Sequence, residues 1–453
     1  MVWSEGYHVA DAYMDGYYAE LSPSRIDTAL TLAGHAPLPP GPYCELGFGV
    51  GSSLVLHAAA HPERAFYGTD FLPAHVAQAR HLAGAAGTVL QLSEAAFEAY
   101  CEDPSLPEFA VIVAHGIWSW VSKENRARIT DFVRRKLMPG GVFHLSYNLK
   151  SGWLGAEPLR DLLYSHFSRM QAPSARTEDK IKRALEFAQK LMECNPAAAS
   201  AAPAMKARLE HLLGQDGKYL AHEYFNAEWY LSSFGEVWQQ LQAAKLSYAT
   251  SAMVSDHIQE IQVTNEQAEY LAAIEDPVVR AMSRDLFSGQ AFRRDLWVKG
   301  PRPLSESDFD VAFKAWRLLP TAQLRPGKPV SVKGWAGEAH IPQDATDGIL
   351  SVLHSSSEPC SVEALMSQLR VGDGQWPQLR RVLRLLMAAG QLDVVRAELQ
   401  AANARPGCAS VNQSSLTRAA KSSKAAALIS PMTGVGINLP AALVQLLAAQ
   451  CAP

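Results

Sequence analysis

Between residues 43 and 148, short apolar runs alternate with stretches whose apolar positions recur at helical spacing. A first strand reaches Glu45, and a helix follows through Leu54-Val55-Leu56-His57-Ala58. Apolar runs at 65–70, 88–92, 109–114 and 142–147 predict four further strands. Helices are expected between them, one from about 73 to 82 and one ending near 137. Strands that alternate with helices predict a parallel sheet covered by helices on both faces. Ligands of such sheets bind beyond the carboxyl ends of the strands, where strand order reverses.

The pattern changes after residue 157. Residues 158–215 read as helices, with Ile181, Leu185, Ala188 and Leu191 at helical spacing and an Ala/Pro-rich break at 196–203. Residues 218–225 read as a strand, 237–246 as a helix and 247–252 as a strand. The two strands are expected to close the same sheet as a hairpin, with 158–215 inserted as a helical cap. Residues 301–345, rich in Pro and Gly, read as a connector. Residues 346–400 read as two helices and a strand in a winged-helix-like arrangement. The expected division is a sheet domain at 1–157, an insertion at 158–215, a third region at 216–300, a connector at 301–345, and a winged-helix-like domain with a tail at 346–453.

Composition narrows the class. At 453 residues the chain is long enough for two or three domains. A content of 48% apolar and 19% charged residues is that of a globular protein, and a net charge of −4 argues against a general nucleic-acid binder. No run of 18 apolar residues predicts a membrane span, and residues 1–7 lack the pattern of a signal peptide. Cys44, Cys101, Cys194, Cys360, Cys408 and Cys451 are scattered, which predicts free thiols of a cytoplasmic protein and no metal site. From Leu399 onward there is no Asp or Glu, against four basic residues, Arg405, Arg418, Lys421 and Lys424.

The chemistry centres on Glu45-Leu46-Gly47-Phe48-Gly49-Val50-Gly51, at a strand-to-helix junction. Gly47, Gly49 and Gly51 allow a tight turn and close approach of backbone to a ligand, with helix N-terminal amides behind it. A dinucleotide fingerprint wants a further glycine at position 52, where this chain has Ser52. Glu45 suits a cation or an amino group better than a pyrophosphate, which favours S-adenosylmethionine over NAD. Asp70, ending the second strand, is placed to accept both hydroxyls of a ribose, against the plainer role of capping the next helix. Phe71 beside it joins the cofactor set, and Ser93 or Glu94 is the candidate for the adenine, with Phe97 packing on the base.

The segment His115-Gly116-Ile117-Trp118-Ser119-Trp120 follows the fourth strand, where an acceptor must enter. Trp118 and Trp120 are candidates for an aromatic wall around an alkyl-ammonium chain, or for plain packing. His115 is a candidate cofactor contact and proton acceptor, or a structural histidine. Tyr147 is a candidate for orienting the acceptor, or for plain packing, with Asn148 and Trp153 as further acceptor-side candidates. The aromatic positions Tyr7, His8, Tyr13, Tyr17 and Tyr18 are candidates for a segment folded over the cofactor, against the plainer role of a helix that docks on the sheet. Methyl transfer needs in-line placement rather than a catalytic triad, since the sulfonium departs as a neutral thioether.

With Glu45 to Gly51 and Gly68-Thr69-Asp70, the chain resembles a class I S-adenosylmethionine-dependent methyltransferase. More narrowly, it resembles the bacterial group that carries a methyltransferase regulatory domain and includes rickettsial protein lysine methyltransferases. The stretches that carry this are 115–121, 146–148 with Gly152-Trp153, His222-Glu223-Tyr224-Phe225-Asn226, Phe292-Arg293-Arg294-Asp295-Leu296 and Ser430-Pro431-Met432-Thr433-Gly434. The resemblance implies a Rossmann-like α/β sheet with accessory domains, S-adenosylmethionine as cofactor, methylation of a protein lysine amine, and a homodimer. Two other functions stay open at this point. One is a small-molecule or surface-glycan methyltransferase. The other is a non-catalytic S-adenosylmethionine-binding regulator that contacts DNA or protein through the winged-helix-like region, where Arg380, Arg381 and Arg384 lie.

Overall fold

The computed structural model describes residues 16–450, apart from 171, 173–174, 322–323, 356–357 and 423–424. Tyr7, His8, Tyr13 and Cys451 lie outside the described residues. A seven-stranded sheet organises the chain. Its parallel strands are β1 (Tyr43–Leu46), β2 (Phe66–Asp70), β3 (Gln91–Glu94), β4 (Phe109–Ala114) and β5 (Leu137–Asn148). With β6 (Leu246–Ser251) and β7 (Phe292–Lys299) the order is β3-β2-β1-β4-β5-β7-β6, and β7 runs antiparallel to both neighbours. Every residue of β1 and β4 is buried. That is why these strands read as apolar runs rather than as alternating ones. Strand order reverses between β1 and β4, so the loops after them part and open a crevice.

The closing strands differ from the sequence expectation. Residues 218–225 do not form a strand; they lie in and just after the helix Gly217–Tyr224. Leu220, Ala221, Tyr224 and Phe225 are buried in one cluster, at the spacing of a helix face. The strand that pairs with β6 is β7, whose centre carries Arg293, Arg294 and Asp295. Its polarity hides it in the sequence, yet Arg293 and Asp295 are buried because they neutralise each other. The Arg293 Nε donates to Asp295 at 2.9 Å and its NH1 to Asp285 at 2.8 Å. The guanidinium also lies 4.4 Å from the centre of the Phe234 ring.

The insertion packs as a helical cap. Its helices Glu157–Arg169, Thr177–Glu193 and Ala204–Leu213 share a core with Gly217–Tyr224, through Leu163, Ala184, Leu185, Leu212 and Tyr224. Residues 301–345 hold more structure than a connector. They contain the helix Glu306–Ala315, β8 (Arg317–Pro320) and the hairpin of β9 (Val330–Lys333) and β10 (Glu338–Ile341). β8 is the middle strand between β11 (Cys360–Ser361) and β12 (Leu392–Val395). The helices Gln343–Ser355, Val362–Gln368 and Trp376–Ala388 complete this unit, with Leu379, Val382, Leu385 and Leu386 in its core. Arg380 and Arg381 are already matched by Asp310 and Glu260, at 2.9 and 2.8 Å, which leaves this helix poorly suited to phosphates.

The last 55 residues return to the sheet domain. The helix Glu398–Ser422 packs on the helices Ser52–Ala60 and Pro73–Ala86. It is followed by the hairpin of β13 (Ala426–Ile429) and β14 (Gly436–Leu439). That hairpin grips the start of the described chain: the Gly436 amide donates to the Tyr17 hydroxyl at 2.6 Å, and the Ser22 hydroxyl donates to the Gly434 carbonyl at 2.7 Å.

Candidate active site

A cavity of about 490 Å³ lies at the carboxyl ends of the strands, above the crevice between β1 and β4. The glycine loop forms its floor. Gly49 sits at φ +59° with open space where a side chain would be, so a ligand can reach its backbone. Gly51, at φ +80°, has the opposite constraint: a Cβ there would lie 2.5 Å from the Cβ of Ala79, so its lack of a side chain lets the next helix pack close.

Asp70 lines the cavity and also braces the loop. Its Oδ2 accepts the Gly49 amide at 2.9 Å, and its Oδ1 accepts the Leu72 amide at 2.9 Å with His75 Nδ1 at 3.2 Å. The carboxylate therefore holds the start of the next helix and reaches the cavity at once. About four lone-pair positions are available on its two oxygens, so a further donor can still be taken.

Glu45 lines the same cavity at 5% exposure, and its Oε2 has no hydrogen-bond partner among the described residues. Burial, together with the charge of Asp70, pushes its pKa up to about 8. A buried carboxyl without a donor is an acceptor kept for a ligand. The group expected here, an α-ammonium beside a glycine loop, fits that vacancy in donor type and in charge.

Phe71, Phe97, Ala95 and Ala96 form the apolar side of the cavity, whereas Ser93 does not line it. β3 begins at Gln91, not at residue 88, so the end of the strand and the pocket contacts fall two to four residues later than the periodicity suggested.

Four candidates sit at or past the ends of β4 and β5 within the cavity wall: His115, Trp120, Asn148 and Trp153. His115 is half-buried, and desolvation with neighbouring His144 holds its imidazole well below the ordinary histidine range, so it is neutral at pH 7. Its ring packs 4.4 Å from Tyr18, and its Nδ1 has no partner among the described residues.

Two expectations are corrected. Trp118 is fully buried in the core below the site and does not line the cavity. It lies in the 3₁₀ turn Trp118–Trp120, where residues two apart are rotated about 240° from each other, so the two indoles cannot share a wall. Tyr147 is also fully buried, and its hydroxyl donates to Asp295 at 2.6 Å. Alternation along β5 sends Asn148 to the cavity and Tyr147 to the other face, where it completes the Arg293–Asp295 network.

The structure adds residues that the sequence did not single out. Tyr219, His222 and Glu223 enter the cavity wall from the helix Gly217–Tyr224, and Phe292 and Arg294 enter from β7. For all but Tyr219, the signal that could have found them was the pair of stretches at 222–226 and 292–296, quoted above for the family resemblance alone.

Comparison with known proteins follows this geometry. Residues 216–299 match the family model described as "Predicted methyltransferase regulatory domain". An uncharacterized protein of Synechocystis sp., sll1526, is 32% identical over 447 residues, covering 96% of this chain and 86% of that protein. The solved structure of PKMT2 from Rickettsia typhi in complex with AdoHcy shares the fold at a TM-score of 0.69, covering 96% of this chain and 88% of that chain at 17% identity. The chain belongs, with sll1526, to the family of methyltransferases that carry this regulatory domain. A second relative of this methyltransferase, the uncharacterized protein RP789 of Rickettsia prowazekii, is 28% identical over 62% of the chain and 50% of its own length. The chain's fold is the Rossmann-like sheet with additional domains. No described helix is long and apolar enough to cross a membrane.

Proposed function

We propose that this methyltransferase transfers the methyl group to an amine, that of a lysine side chain in a protein acceptor. The observation that supports this most is the continuity of the cavity. One space is lined by the glycine loop and Asp70 together with His115, Trp120, Asn148 and Trp153. S-adenosylmethionine, when bound, supplies an electrophilic methyl group whose carrier leaves as a neutral thioether.

The chain's own residues divide the remaining work. Glu45 and the Gly49 backbone receive the cofactor's amino-acid end, Asp70 its ribose, and Phe71 and Phe97 its base. Trp120 and Trp153 form an apolar channel, and desolvation there lowers the pKa of an amine, which frees the lone pair that must attack. His115, neutral and beside the channel, adds no positive charge that would repel the amine. Tyr18 and the cap helix keep water from the reacting atoms. The whole-chain likeness to PKMT2 of Rickettsia typhi supports a protein acceptor.

Five described cysteines are free thiols and four of them are buried, which supports action in the reducing cytoplasm. Tyr270, Val279 and Leu286, exposed on neighbouring helices, support the homodimer, which sedimentation at several concentrations tests. Labelled cofactor incubated with the enzyme and a bacterial lysate tests the acceptor. Label recovered as methyl-lysine in the protein fraction supports the proposal. Label confined to lipid, glycan or small molecules defeats it.

A further inference from the structure

The matched segment at 216–299 carries a name that suggests control, but its placement is that of a catalytic half. β7 pairs with β5 from Val142 opposite Val298 to Asn148 opposite Phe292, so removing the segment would strip one edge of β5 beside the site. The helix Gly217–Tyr224 from the same segment brings Tyr219, His222 and Glu223 into the wall of the cavity that the glycine loop also lines. We infer that residues 216–299 build the acceptor subsite of the methyltransferase, and that Glu223 receives the acceptor's cationic amine. This rests on the amine-methylation reading above.

Three features of the wall point to an alkyl-ammonium group. Glu223 supplies a carboxylate to the cavity wall, and Tyr219, Phe292 and Trp153 supply aromatic rings to the same wall. A carboxylate among aromatic rings binds an ammonium through charge-assisted hydrogen bonds and cation–π attraction together. Trp153 already holds a cation on its ring, since the Arg208 guanidinium lies 4.5 Å from the ring centre. The cavity's own cation does not oppose this: Arg294 is paired with Glu20 at 2.9 Å. Trp153 is 7% exposed and its indole N–H has no partner among the described residues, which leaves a donor for a carbonyl of the acceptor.

The test uses the full chain saturated with S-adenosylhomocysteine, and two probes of equal shape: Nα-acetyl-lysine methylamide and the Nα-acetyl methylamide of 2-aminoheptanoic acid, in which a methyl group replaces the ammonium. Binding is read from tryptophan fluorescence. The wild type should prefer the lysine probe by about tenfold or more, as one charge-assisted hydrogen bond allows. Glu223→Gln, at a half-buried polar position, should cut that preference to about threefold or less and leave S-adenosylhomocysteine affinity within about twofold. A wild type with no preference overturns the inference, as does a Glu223→Gln variant that keeps it. Failure of S-adenosylhomocysteine to bind the wild type would instead overturn the cofactor assignment beneath it, and the inference with it.

Discussion

Glu45→Gln is the most informative perturbation of the site. In the free protein the Glu45 carboxyl has a pKa of about 8, because burial and then the charge of Asp70 disfavour its ionised form. At pH 7 it is therefore about nine-tenths protonated. An ammonium placed beside it favours the carboxylate, so binding lowers the pKa and expels the proton. Cofactor binding at pH 7 should release about 0.9 proton, and log Ka should rise by nearly one per unit of pH up to about 8. Deprotonating the group at pH 7 costs about 1.4 kcal/mol of the binding free energy.

The same shift acts on folding with the opposite consequence. A raised carboxyl pKa gives stability that is fully present below the unfolded value and is lost as pH rises through the folded one. The window here runs from 4.5 to about 8. At pH 7 the difference amounts to about 3 kcal/mol that Glu45 withholds from the free protein. Glu45→Gln should thus raise the melting temperature of the free protein at pH 7 while it weakens S-adenosylhomocysteine binding and abolishes the proton release. Calorimetric titration in buffers of different ionisation enthalpy counts the protons. Wild-type binding without proton release, or a Gln variant that releases the same number, would refute the reasoning.

Gly51→Ala should lose S-adenosylhomocysteine binding and about 1–3 kcal/mol of stability in urea, because the new methyl meets Ala79 at 2.5 Å and φ is +80°. Tyr147→Phe should cost about 1–3 kcal/mol of stability by leaving buried Asp295 short of a donor. Its S-adenosylhomocysteine affinity should stay unchanged, and a large loss of binding without a loss of stability would restore Tyr147 to the site. Tyr17→Phe removes the acceptor of the Gly436 amide and should lower the melting temperature, with faster hydrogen exchange at Gly436; unchanged exchange would show that the C-terminal hairpin holds without it.

The first five strands were legible because β1 and β4 are buried on both faces and so are apolar throughout. The glycine loop was legible because a positive φ at Gly47, Gly49 and Gly51 requires glycine, and the requirement is local. β7 was not legible, because its buried Arg293 and Asp295 are tolerable only with each other, Asp285 and Tyr147 in place. The helix Gly217–Tyr224 was misread for a related reason. Its tyrosines and phenylalanine favour strands by propensity, and only packing against Leu163 and Leu185 settles the period.

The chain's order of residues was enough to specify the cofactor half of the site. The loop, Glu45 and Asp70 lie within 26 residues, and a strand-turn-helix unit places them without help from distant segments. The acceptor half was decided by tertiary structure. Trp153, Tyr219, Glu223 and Phe292 are separated by long stretches of sequence and meet in one cavity wall. They meet because the cap core and the β5–β7 pairing bring them there. Alternation along β5 and the rotation of the 118–120 turn then decide the outcome for near neighbours: Asn148 and Trp120 face the cavity, while Tyr147 and Trp118 go to the core.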